Sequence, residues 1–144
     1  MTPTISFFVA GTPKGQPRVK AFRRGAHAGV YTPGTADAWK SAVRSDAMRN
    51  ASERGPLAGP VAVRLDFVMP RPKAHSTKRG LRPDAPRWHA SKPDADNLAK
   101  AVLDALGDLG TYWKDDAQVA DLCITKRYGE RIGCTITIRE AIAE

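Results

Sequence analysis

In a chain otherwise rich in cations, carboxylates crowd one window: Asp94, Asp96, Asp104, Asp108, Asp115, Asp116 and Asp121. Like charges held together repel, so a fold that gathers them compensates with Lys, Arg or bound metal. Asp94-Ala95-Asp96 follows Pro93, and in extended backbone positions two apart point the same way. The two carboxylates can then share a side at a helix start, where the macrodipole also favours negative charge. Hard oxygens of this kind suit Mg²⁺ or Mn²⁺ rather than zinc. A blander explanation, in which Asp96 caps the helix and Asp94 is merely solvated, leaves a second pair unexplained: Asp115-Asp116, between Lys114 and an apolar strand start. The expectation is therefore that the Asp94–Asp96 pair and the Asp115–Asp116 pair meet in space around divalent ions. Such ions make a water nucleophilic, stabilise a leaving oxygen and neutralise a phosphodiester. Lys100, four residues after Asp96 and four before Asp104, shares their polar face if the segment is helical. There it either joins a surface ion-pair ladder or faces a phosphate.

The remaining charge says what the carboxylates would act on. Twenty-three Lys and Arg against fifteen Asp and Glu give +8, with a sequence pI near 9.9. This is the electrostatic footprint of a polyphosphate partner, although basic domains also bind membranes and acidic proteins. The cations gather in two stretches: Lys14, Arg18, Lys20, Arg23 and Arg24 in one, and Arg71, Lys73, Lys78, Arg79, Arg82 and Arg87 in the other. Each alone reads as solvated charge; as a set they suit phosphate, whose contacts dominate DNA affinity and make it salt-sensitive. Phe22, Tyr31, Trp88 and Trp113 could stack on bases at a branch point, though packing explains each of them too. Trp113, beside the acidic pair, is the preferred candidate. His27, His75 and His89 have no ligand spacing and read as solvated or phosphate-contacting.

These groups must be positioned by a small domain. With 144 residues, 42% hydrophobic, the chain reads as a single domain over 1–144. Residues 5–10 and the alternating Val61, Val63, Leu65 and Phe67 read as strands, and Val30-Tyr31 as a short one. A helix is expected over 35–49 and a clearer one over 94–107, where Leu98, Val102, Leu103 and Leu106 form a stripe and Gly107 reads as the C-cap. Residues 70–93 read as a long surface loop. Val119–Lys126 and Gly133–Arg139 read as two strands joined by a tight connection. The order β-β-α-β-α-β-β predicts an α+β fold with helices packed on a mixed sheet. No apolar run approaches the roughly 18 residues of a membrane span, and a cytosolic location is expected. Cys123 and Cys134 lack metal-ligand spacing and read as packing residues.

The string Lys92-Pro93-Asp94-Ala95-Asp96-Asn97-Leu98-Ala99-Lys100, with Asp104-Ala105-Leu106, then Asp115-Asp116-Ala117-Gln118-Val119 and Lys126, resembles the RusA family of Holliday-junction resolvases. The Lys-Gly-Gln-Pro-Arg loop and Val-Tyr-Thr-Pro turn resemble its phage and prophage branch. The resemblance implies a homodimeric endodeoxyribonuclease that makes paired nicks in four-way DNA junctions with Mg²⁺ or Mn²⁺. It places the metal-binding aspartates on Asp94, Asp96 and Asp116 and a catalytic lysine on Lys100. A non-catalytic DNA-binding module, or a nuclease for other branched forms, is the competing expectation.

Overall fold

The computed structural model describes residues 4–142. Its elements follow in the order β1 (Ile5–Ala10), β2 (Lys20–Arg24), β3 (His27–Tyr31), α1 (Asp37–Arg49), β4 (Val61–Met69), β5 (Ser76–Thr77), β6 (Gly80–Leu81), α2 (Ala95–Leu109), β7 (Val119–Tyr128) and β8 (Gly133–Glu140). The fold is α+β, as expected. The first basic stretch is more ordered than a loop: β2 and β3 pair as an antiparallel hairpin. The 70–93 segment likewise contains a 3₁₀ turn, Lys73–His75, and the small ribbon β5–β6.

The main sheet has the order β1-β8-β4-β7, with β4 antiparallel to β8 and parallel to β7. The tight pairing expected of the last two strands is absent, because β4 lies between them. Burial explains the choice. Val61, Val63, Leu65, Phe67 and Met69 are buried on one face of β4, and Ala62 and Val68 on the other. A strand with one face wholly buried and the other half covered belongs between neighbours, even though that second face also carries the Arg64–Asp66 ion pair. β7 exposes Asp121, Leu122 and Cys123 and takes the edge.

Two neighbouring parallel strands need a crossover, and α2 supplies it. Leu98, Val102 and Leu106 join Trp39, Val43 and Ala47 of α1 over Val63, Leu65, Phe67, Ile136 and Ile138, forming one core. α2 therefore runs against β4 and β7, so its start lies near the end of β7. The helix continues past Gly107 to Leu109, and the C-cap is Gly110, left-handed at φ 63° with its N–H donating to the Gly107 carbonyl.

Candidate metal centre and nucleic-acid interface

Asp94 is the N-cap residue of α2, extended at φ −68° and ψ 150°, and Asp96 lies in the first turn. Both are exposed, and neither carboxylate has a hydrogen bond or ion pair among the described residues. The segment feeding them is anchored. Lys126, near the end of β7, donates from Nζ to the carbonyls of Ser91 and Pro93, each at 2.8 Å. The Gln16 amide donates to the Asn97 carbonyl at 3.0 Å. Lys100 follows one turn after Asp96, exposed and without a partner, so the ion-pair ladder with Asp96 and Asp104 does not form.

Asp116 lies elsewhere. It opens a 3₁₀ turn, Asp116–Gln118, that leads into β7. Its Oδ1 accepts from Trp113 Nε1 at 2.8 Å, and the carboxylate rests against Gly107 so closely that a Cβ there would stand 2.3 Å from Oδ1. Trp113 is fully buried, so it positions Asp116 and cannot stack on a base. Asp115 is likewise structural: it accepts from the Ala117 amide at 2.9 Å, while Gln118 Oε1 accepts from the Asp115 amide at 3.0 Å. Gly107 stands 11 residues beyond Asp96 on the same helix, on the order of 16 Å along its axis. The expected meeting of Asp94, Asp96 and Asp116 thus does not occur within one chain. Among the described residues no three His, Cys, Asp or Glu side chains group to hold a metal. The crossover topology is the cause, since motifs that open a helix and open the strand antiparallel to it lie at opposite ends.

The two acidic ends nevertheless share a side. Asp96, Lys100, Leu103 and Gly107 recur at the spacing of one helical stripe, and Asp116 sits at its far end. The stripe runs beside the β7 edge, where Leu122 is 40% exposed and Leu103 and Ile124 are only partly buried. Arg87, Trp88 and His89 pair with the outer edge of β7 over Lys126–Tyr128. From Val119 to Thr125 that edge has no strand partner among the described residues.

Most of the expected phosphate-binding cations are free to act. Lys14 and Arg18 line an open cleft of about 820 Å³ that also reaches Lys92 and Asp94. Lys20, Arg23 and Arg24 stand on the β2–β3 hairpin, whose residues are all exposed except half-buried Gly29. Phe22 and Tyr31 are exposed there too, their ring centroids 6.1 Å apart, and Trp88 is exposed on the second loop. Lys73, Lys78 and Arg79 are exposed. Arg71 is a correction: its guanidinium lies over the Tyr128 ring at 5.2 Å and donates to the Pro86 carbonyl at 2.8 Å, so it builds the loop. His89 is another. It is buried beside Tyr128, and that burial, aided by the charge of Lys126, lowers its pKa and keeps the imidazole neutral.

Residues 10–139 match the endodeoxyribonuclease RusA family. The chain belongs to that family. It is also 32% identical to a Bacillus subtilis (strain 168) protein described as uncharacterized protein YqaN, over 142 residues that cover 96% of this chain and 98% of the relative. RusA membership implies endonuclease activity on Holliday junctions. No helix among the described residues is long and apolar enough to cross a membrane. Within this RusA chain, three residues take supporting roles that their sequence positions did not disclose: Gly107 and Trp113 support Asp116, and Lys126 supports the segment ahead of Asp94. A glycine inside a leucine-striped helix was the available signal, since it marks close approach of another group.

Proposed function

We propose that this protein is a metal-dependent homodimeric resolvase in which each metal site takes Asp94 and Asp96 from one copy and Asp116 from the other. The observation that carries the proposal is the placement of the two acidic ends along one exposed face, with an apolar middle and an open strand edge. A two-fold axis near Leu103 and Leu122 would run the two faces antiparallel. Each Asp116 would then approach the Asp94–Asp96 end of its partner, and the open edges of β7 would be covered, removing an aggregation hazard. Two sites related by that axis suit two symmetrical nicks in a four-way junction.

The donor set fits Mg²⁺ or Mn²⁺: Asp94 and Asp96 are hard-oxygen ligands with no protein partners, and Asp116 keeps Oδ2 beyond the oxygen bound by Trp113. Bound ions would supply a nucleophilic water and charge neutralisation at the phosphodiester. The chain's own groups do the rest. Lys126 fixes the backbone ahead of Asp94, and Lys100 presents an uncommitted ammonium, one turn along, to charge developing on the phosphate. Lys14, Arg18 and the hairpin cations hold the strands by their backbones.

The direct test is nicking of a labelled four-way junction against a matched duplex, with and without Mg²⁺ or Mn²⁺. Metal-dependent cuts in the junction, abolished by Asp96→Asn with junction binding retained, are expected. Tight binding without cleavage under either metal would instead make this a structure-selective DNA-binding protein.

A further inference from the structure

The cleft beside Asp94 is larger than a phosphate needs. We infer that it is a nucleotide pocket: it receives one unstacked base next to the scissile phosphate, and its wall helps to set where the junction is cut. The inference rests on the resolvase reading above and adds to it a substrate subsite.

The cleft is preformed. One wall is the loop from Pro13 to Arg18, held by the Gln16–Asn97 backbone bond and by Lys40 Nζ donating to Gln16 Oε1 at 3.2 Å. Gly15 packs so tightly that a Cβ there would lie 3.3 Å from side-chain carbons of both Asn97 and Pro93. Met69, Pro70 and Tyr128 also line the cleft. The Tyr128 ring is fixed from three directions, by Arg71, by His75 at 4.9 Å and by His89 at 5.0 Å. A volume of about 820 Å³ lies within the roughly 300–1,000 Å³ of clefts that enclose a small organic molecule. A stacked duplex is too broad for such a space, and an unstacked nucleotide is not.

The lining has the chemistry of base recognition. Apolar surface to stack on comes from the exposed Pro70, while Met69 is almost fully buried beneath the lining. The Asn97 side-chain amide and the Tyr128 hydroxyl both lack hydrogen-bond partners among the described residues, leaving donors and acceptors for a base edge. Lys14, Arg18 and Lys92, also unpartnered, supply positive charge for the flanking phosphates. Pockets that read extruded bases combine such edges with apolar stacking surface, and extrusion costs least where pairing is already broken. A branch point is such a place, so the pocket would itself favour junctions over duplex.

Two variants away from the metal ligands test this. Tyr128→Phe keeps the ring and removes the hydroxyl; Thr35→Trp, from an exposed rim residue, fills the space. The substrates are a four-way junction library with a randomised core, read for cut-site distribution, and one junction carrying 2-aminopurine beside the cut site, bound by Asp96→Asn protein. The expected results are a gain of 2-aminopurine fluorescence on binding, abolished by adding Thr35→Trp. In otherwise wild-type protein, Tyr128→Phe should flatten the cut-site preference by on the order of tenfold while cutting persists. Junction binding with unchanged fluorescence, together with an unaltered cut-site distribution in both variants, would overturn the pocket. Failure of Asp96→Asn protein to bind junctions at all would instead count against the resolvase reading beneath it.

Discussion

Replacing Gly107 with alanine separates helix stability from the placement of Asp116. In an exposed helix interior the change favours folding by about 1 kcal/mol, because glycine is the poorer helix former. Here the new methyl would begin 2.3 Å from Asp116 Oδ1, so the carboxylate must retreat by about 1.1 Å to reach the 3.4 Å at which ordinary contact starts. That retreat weakens the bond from Trp113 Nε1, whose indole is fully buried. A buried donor left without its partner costs roughly 1–3 kcal/mol. The two effects oppose each other, and the net change in stability should lie between about zero and 2 kcal/mol of destabilisation. Activity has no such compensation: a misplacement of about 1 Å in a reacting constellation costs on the order of 10²-fold. Urea unfolding and junction nicking, measured on the same preparation, should therefore diverge, with a small shift in midpoint and a large loss of rate. A Gly107→Ala protein that folds normally and nicks at the wild-type rate would remove Asp116 from the reaction.

Lys126→Met removes two charge-assisted bonds to the Ser91 and Pro93 carbonyls; it should cost roughly 1.5–3 kcal/mol by urea titration and slow nicking further than that loss accounts for. Changing Arg23 and Arg24 together to Ala should leave stability within about 0.5 kcal/mol, as the hairpin is exposed, yet weaken junction binding and lower its salt slope by about 2. An unchanged slope would take the hairpin off the DNA. Because burial and Lys126 lower the His89 pKa from 6.5, the unfolded chain binds the proton more readily. Its contribution to stability is present above pH 6.5 and is lost on acidification toward the folded-state pKa. The urea midpoint of wild type should therefore fall between pH 7.5 and 5 by more than that of His89→Phe. Leu122→Lys, at a surface position of β7, should leave the fold intact and give a monomer by light scattering that no longer nicks.

Much of this arrangement was legible in the chain because it is local. The apolar stripe of α2, the alternation of β4 and the Asp94–Asp96 helix start each follow from residue spacing. What escaped was non-local. The adjacency of β8 to β4 rather than β7 depends on which strand is the most fully buried, a comparison across the whole sheet. Gly107 looked like a cap because Gly107 and Gly110 both satisfy that rule; only the packing of Asp116 shows that the first is clearance and the second the cap. Trp113 and His89 were misjudged for a related reason: an aromatic in a polar loop gives no sign of being covered by residues far along the chain. The separation of Asp96 from Asp116 is likewise topological, set by the direction of a crossover helix.

The sharing of each metal site between two copies is tested most directly by mixing two inactive proteins, Asp96→Asn and Asp116→Asn. A mixed dimer would contain one site with Asp94 and Asp96 from one chain and Asp116 from the other, all intact, and one site with both changes. Metal-dependent nicking of a four-way junction should therefore reappear on mixing under conditions that exchange subunits, while each protein alone stays inactive. Exchange demonstrated by mass spectrometry, with no nicking in the mixture, would contradict the shared site.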